Sequence, residues 1–378
     1  MTQHKPPQAM TLFDLIARTW DVKTEVRALL FNAKGSSLAA QLADGQLAFV
    51  SVHDAESPDS RVRVEADTGR SSIRPRSKPL PPPVLSETSM ARTDVSLCRL
   101  EEQGFAFAHS ETGGLWRATA RGQTLAMTAA GADTVTALAT LSRSGQLAVA
   151  HETHVALSAA SGGAEIANVS LDHSVARIAV SDDESLLACW GAGQVSIVRT
   201  KDLSCQAQIA CDGKLLSLEW SPCRCWLVAG CEDKAVLLVD VSAGTADRIV
   251  DFPASVLSAQ FSDKAKAVVA SGAFRVVGWS LPDLPFGDHT GEPIETGKPG
   301  LTIVDRIAVH PKRDLCAVSY GTGLVMLSRI GHPDEMLVRE GTGSAVTALA
   351  WSDDGTHLGI GGEDGSLSIA TFPKNMFK

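Results

Sequence analysis

Aromatic residues are scarce in this chain, with one tyrosine among 378 residues and 5% aromatics in all. At a net charge of -9 and a sequence pI near 5.6, it lacks the broad basic, aromatic surface that nucleic-acid strands need, so nucleic acid is not an expected partner. No apolar run reaches 18 residues, which excludes a membrane-spanning helix. The opening Met1-Thr-Gln-His-Lys-Pro-Pro7 has no apolar stretch of the kind that starts a secretory signal. Eight cysteines are scattered without the spacing of a small disulfide scaffold, and with no signal in view they are expected as reduced thiols in the cytoplasm.

Catalytic patterns are missing as well. Gly291-Glu-Pro-Ile-Glu-Thr-Gly297-Lys298 is one residue too long for a phosphate loop, and Pro299 stands where a serine or threonine would hold magnesium. There is no Gly-x-Ser-x-Gly elbow. His151-Glu-Thr-His154 has the wrong spacing for a helical zinc motif and reads as a turn. Five cysteines, Cys205, Cys211, Cys223, Cys225 and Cys231, invite a zinc reading. On a strand model Cys211 and Cys231 share one face and Cys223 and Cys225 the other, with the far ends about 20 Å apart. One metal cannot take four of them, and small buried or turn cysteines are the expectation. No cofactor is expected.

What the chain does contain is a repeat. Val346-Thr-Ala-Leu-Ala-Trp-Ser-Asp-Asp-Gly355, Thr356 to Gly365 and Ser366-Leu-Ser-Ile-Ala370 read as three short strands joined by Asp-Asp-Gly and Glu-Asp-Gly turns. Equivalent starts fall at Val26, Val95, Thr136, Val175, Leu215, Val256, Val304 and Val346. From Val95 to Val256 the steps are 41, 39, 40 and 41 residues. A period of about 40 residues with several strands per unit marks a propeller of four-stranded blades, each covering its neighbour. The pattern predicts an all-β fold of eight blades; if the degenerate second unit and the insertion before it form an appendage, the count is seven. The last unit stops three strands in, so the segment Thr11 to Asp21 is expected to supply its outer strand and close the ring, with a short helix as the alternative.

Leu215-Leu-Ser-Leu-Glu-Trp-Ser-Pro222, Trp226-Leu-Val-Ala-Gly-Cys-Glu-Asp233 and Val236-Leu-Leu-Val-Asp240 resemble the first three blade strands of the WD40 family. The resemblance runs from about Thr11 to Pro373. The Trp-Asp that ends the third strand in that family is weakened to Val239-Asp240, Trp279-Ser280 or Ile369-Ala370, and Gly-His before the first strand survives as Asp172-His173. The resemblance implies a non-catalytic scaffold that holds other proteins on its loop faces and channel mouth. A small-ligand or hydrolytic propeller, or a metal-linked fifth repeat, is the alternative.

The whole chain, 1–378, reads as one propeller domain with two insertions. The first, 53–92, lies in the first blade and includes a basic, proline-rich tract: between Arg61 and Lys78, Arg61, Arg63, Arg70, Arg74, Arg76 and Lys78 stand against two acids, Glu65 and Asp67. Its Arg76-x-x-Pro79-x-x-Pro82 has the form of a polyproline-groove ligand, making Arg74, Arg76, Lys78, Pro79 and Pro82 a candidate docking loop. The second spans 282–300, is smaller and is expected between blades. Alternation along the first strands puts even offsets toward the channel, most of them small. Arg99, Arg177, Glu219, Gln260 and Arg306 stand out there, a set suited to an acidic segment of a partner. Pairing with nearby acids, such as Arg306 with Asp305, is the competing expectation. Oligomeric state is not readable from the sequence.

Overall fold

The computed structural model describes residues 10–64, 67, 71–90, 95–129, 133–374 and 376–377. The readings made on 1–7, and on Glu65, Arg70 and 91–92 of the first insertion, lie outside these residues. Eight four-stranded antiparallel sheets follow one another along the chain. Their innermost strands are Val26–Phe31, Cys98–Leu100, Ala137–Leu141, Arg177–Val180, Glu219–Trp220, Ala259–Ser262, Val304–Val309 and Val346–Trp351. Each touches the innermost strand of the next blade, and the eighth touches the first, so the sheets form a closed ring. The second unit builds a complete sheet, from Cys98–Leu100 to Thr124–Ala126, which removes the seven-blade alternative.

The core lies between blades. In blade five the second and third strands, Trp226–Cys231 and Ala235–Asp240, are buried along nearly their whole length. Leu227, Ala229 and Leu237 pack there against Ala188, Val195 and Ile197 of blade four. A sheet buried on both faces cannot alternate apolar and polar residues, which is why these runs read as continuous. Tight turns between the strands rest on residues with positive φ, and Gly355 shows the constraint most sharply. Its φ is 73°, and a Cβ there would fall 2.3 Å from the His310 ring, whose Nε2 lies 3.0 Å from the Gly355 carbonyl.

Ring closure uses both expected elements. Thr11 and Asp14 form a capping box for a helix, Leu12–Ile16, whose Ile16 is buried between blades seven and eight. The chain then continues as Ala17–Asp21, the outer strand of blade eight, paired from Ala17 with Ala370 to Asp21 with Ser366. Arg18 on this strand is 4% exposed and donates to the carbonyls of Ser51, Val52 and His53 in blade one.

The first insertion leaves blade one after Leu47–Ser51 and returns as Val84–Leu85, carrying a helix Pro58–Arg61 and a hairpin of Val62–Val64 with Ser71–Ile73. It folds back over the closing strand: Arg61 donates to the Leu15 carbonyl at 2.6 Å, and Trp20 Nε1 to Pro81 at 2.8 Å. The second insertion, expected between blades, lies mostly inside blade six: 282–292 links its third and fourth strands, the fourth strand, Pro293–Thr296, follows, and 297–300 leads toward blade seven. Leu284 there is buried, and Phe286 packs edge-on against Trp226 at 5.2 Å.

Candidate functional site: the channel and its two mouths

An innermost strand is a sheet edge, so its outward N–H and C=O groups have no ladder partner and need another one. Side chains of the neighbouring blade supply it. Ser217 Oγ accepts from Ala259 N–H at 3.2 Å, and Ser258 Oγ from Ile307 N–H at 2.8 Å. Two residues further along, Glu219 accepts from Phe261 N–H at 3.1 Å and Gln260 from Val309 N–H at 2.7 Å. Carbonyls are met in the same way, by Thr140 on Arg99, Trp220 on Ala179 and Trp351 on Ala308. The small and polar even offsets are thus the joints between blades as well as channel lining.

Both alternating sets of the inner strands border the channel. A cavity of about 340 Å³ is lined by Arg27, Arg177, Glu219, Gln260, Arg306 and Thr347, but equally by Leu29, Leu218 and Leu349, which the alternation assigned to the core. The reason is geometric: a blade turns its faces to its neighbours and its edge to the axis, so neither set points purely inward. Bulges after Val26, Val304 and Val346 shift the register further and bring Arg27 and Thr347 to the opening. Sequence reasoning missed Arg27. The available signal was a polar residue directly after the opening valine in three units, Val26-Arg27, Val304-Asp305 and Val346-Thr347.

Of the five residues singled out, four line this cavity and Arg99 does not. Arg99 lies lower, where Nε donates to the Phe31 carbonyl at 2.8 Å and its two terminal nitrogens grip Asp353 at 2.8 and 2.7 Å. Arg306 is half-buried, and its Nε is buried with no hydrogen-bond partner among the described residues. Burial lowers its pKa, opposed by Asp305 and Glu25, yet an arginine stays charged under such a shift. Burial in turn raises Asp305, against the pull of Arg306. Arg27 is exposed, with Nε 3.6 Å from Glu25.

The opposite mouth is acidic. A cavity of about 510 Å³ is bordered by Asp182, Glu219, Asp263 and Pro222. Glu219 therefore sits between the two ends. Burial pushes its carboxyl up to about 7, hydrogen bonds from Phe261 N–H and Gln260 oppose the rise, and Asp182 adds to it.

The docking loop divides. Arg76 is turned inward, paired with Asp54 and lying 3.7 Å from Glu56. Arg74, Lys78, Pro79 and Pro82 are exposed. Cys211 and Cys231 are buried in one cluster, Cys223 and Cys225 are exposed in the turn of blade five, and Cys205 is exposed on the outer strand of blade four. Among the described residues no group of three or more His, Cys, Asp or Glu is placed to hold a metal. His151 and His154 face each other across a two-residue turn. His173 Nε2 lies 2.8 Å from Ser196 Oγ, while Asp172 accepts from Gln194 and Gln208.

Comparisons with known proteins agree with this architecture. The WD domain, G-beta repeat model matches residues 203–240, and the anaphase-promoting complex subunit 4 WD40 domain model matches residues 307–375. Among solved structures, the computationally designed Ika8 protein is similar at a TM-score of 0.60 and 15% identity, covering 93% of this chain and 98% of its own. A chain of the mitotic checkpoint complex is similar at a TM-score of 0.54 and 14% identity, covering 74% of this chain and 86% of its own. A comparison with curated proteins found no match. With eight four-stranded blades in a closed ring this chain is an eight-bladed β-propeller, and WD40 models match it from the outer strand of blade four into blade five and again across blades seven and eight.

Proposed function

We propose that this propeller is a non-catalytic scaffold in the cytoplasm that holds an acidic segment of a partner protein at its basic channel mouth. The observation that carries the reading is the convergence of Arg27, Arg177 and Arg306 on one 340 Å³ opening, where the Arg306 Nε meets no acceptor among the described residues. A carboxylate entering there gains charge-assisted hydrogen bonds in a partly dry site, where they are stronger than in water. Arg99, committed to Asp353, drops from the contact set, and Arg27 joins it. Glu219 and Gln260 position the floor through their bonds to the next blade. The WD40 architecture supports a protein-holding role, and one of its two matched models describes a subunit of a multiprotein complex. The exposed Arg74, Lys78, Pro79 and Pro82 form a second docking element for a polyproline-binding groove.

The test uses a labelled peptide carrying six consecutive glutamates, titrated against the wild-type chain and an Arg27/Arg177/Arg306→Ala variant with unchanged circular dichroism. Loss of even one charge-assisted contact costs about 1.5 kcal/mol, so the variant is expected to bind about tenfold or more weakly. An Arg99→Ala variant is expected to bind like wild type. Equal affinity for wild type and the triple variant defeats the channel site, and capture of native partners by both forms then moves the search to the loop faces.

A further inference from the structure

The five buried cysteines are chemically quiet: burial raises Cys98, Cys189, Cys211 and Cys316 to about 12 and Cys231 to about 11. Three are exposed, and two of these, Cys223 and Cys225, share one turn with a single residue between them. That turn, Ser221 to Trp226, is tightly closed. Ser221 N–H donates to the Trp226 carbonyl at 2.8 Å, Trp226 N–H to Ser221 Oγ at 2.9 Å, and Arg224 N–H to the Ser221 carbonyl at 2.9 Å. Arg224 lies in the left-handed region at a φ of 62°, which folds the backbone between the two cysteines. A bend of this kind keeps residues i and i+2 within the roughly 4.4–6.8 Å Cα separation that a disulfide needs.

The hydrogen bonding gives the two thiols different roles. Ser221 Oγ lies 3.3 Å from Cys223 Sγ. Because the hydroxyl already accepts from Trp226 N–H, its own proton is free to point at the sulfur. Partial burial opposes ionisation of Cys223, yet the bonds from Ser221 and Cys225 outweigh it and hold the thiol below its ordinary range. The Cys225 thiol donates to the Cys223 carbonyl at 3.5 Å, and its interaction with Cys223, with burial adding to the rise, keeps its proton on. Arg224 meanwhile reaches the next turn, where it pairs with Asp183 and lies 3.4 Å from Ser185 Oγ. The remaining exposed thiol, Cys205, sits on another strand, where its Sγ lies 3.5 Å from the Ala207 carbonyl oxygen.

We propose that Cys223 and Cys225 form a thiol–disulfide exchange site that accepts a small-molecule disulfide of the glutathione class. The Cys223 thiolate attacks one sulfur of that disulfide, a new S–S bond forms, and the other half leaves as a thiolate. Cys225 then gives up its proton to solvent and attacks the Cys223 sulfur, expelling the second half as a thiolate. Two protein thiols lose two electrons and two protons; the small disulfide gains the electrons and becomes two thiols. Exchange of this type depends on the thiolate fraction and access of the attacking sulfur, and this turn supplies both.

The reduced full-length chain, incubated with oxidised glutathione, quenched with acid and digested with trypsin, tests the assignment by mass spectrometry. Cleavage after Arg224 separates the two cysteines, so the expected product is a pair of peptides joined by a Cys223–Cys225 bond, carrying no glutathione. A Cys225→Ser variant is expected to stop with one glutathione on Cys223, and Cys223→Ser to react several-fold more slowly. The proposal is overturned if glutathione accumulates on Cys205 as fast as on Cys223. It is also overturned if the wild-type chain keeps glutathione on Cys223 without closing the bond. Both substitutions lie in an exposed turn, so the folded state is kept in each arm.

Discussion

Glu219 should make the propeller more stable in weak acid than in base, the reverse of the usual carboxylate effect. In the folded ring burial raises its pKa from an ordinary 4.5 to about 7. Below pH 4.5 the group is protonated in both folded and unfolded chains and contributes no pH dependence. Between 4.5 and 7 the unfolded chain releases the proton while the folded one keeps it, so stability falls as pH rises. Above 7 both forms are ionised and the loss is complete. At about 1.4 kcal/mol per pH unit the interval corresponds to about 3 kcal/mol. A Glu219→Gln substitution keeps a carbonyl oxygen to accept from Phe261 N–H and removes the charge. It should stabilise the ring by about 3 kcal/mol at pH 8 and by almost nothing at pH 4.5. With an unfolding entropy of about 0.8 kcal/mol/K for a chain of this length, the gain at pH 8 is about 4 °C in Tm. Urea unfolding of both proteins at pH 4.5, 6 and 8 reads the difference directly. A Glu219→Gln protein that is less stable than wild type at pH 8, or a gap that does not change with pH, would refute the assignment of a buried carboxylate strained by desolvation.

Other consequences follow from the joints of the ring. Arg18→Ala removes three bonds to blade-one carbonyls and the 3.8 Å contact to Asp54. Since Asp54 keeps Arg76, the expected loss is about 3 kcal/mol, measurable as a lower urea midpoint and faster proteolysis near residues 10–21. Trp351→Phe deletes the 2.9 Å bond to the Ala308 carbonyl while keeping most of the packing, and should cost about 1 to 2 kcal/mol by the same unfolding assay. Arg99→Ala, which breaks a pair whose Asp353 partner is 61% exposed, should lower the unfolding free energy measured in urea by less than about 1 kcal/mol, and a larger loss would show that the pair ties the ring together.

The architecture was legible because a blade repeats a local pattern. The starts from Val26 to Val346, the Asp-Gly turns and the strand-length apolar runs are fixed within a few residues of sequence, and each became a sheet. Side-chain direction at the axis was harder to read. It depends on three bulges and on how one blade faces the next, and neither leaves a mark in a period of two. Arg99 illustrates the limit: its partner Asp353 is 254 residues away, in a blade that is not its neighbour in sequence. The basic insertion shows a different one. Its composition resembles a solvated loop, but Arg61 is buried against Leu15 and Glu56 carbonyls, because the closing segment offers acceptors that no local pattern reveals. The opposed charge of the two mouths was likewise hidden, since each is assembled from residues of several units.

Pairing of Ala17–Asp21 with Ser366–Thr371 also sets a timetable for synthesis. The first strand leaves the ribosome some 345 residues before its partner, which at 5–20 residues per second is a delay of roughly 17 to 70 s. Throughout that interval the ring is an open arc with two unsatisfied ends, and its earliest strand is an unclaimed edge able to pair with another chain. Folding yield should therefore depend on what shelters that edge, and slow translation of the final repeat would lengthen the exposure rather than relieve it.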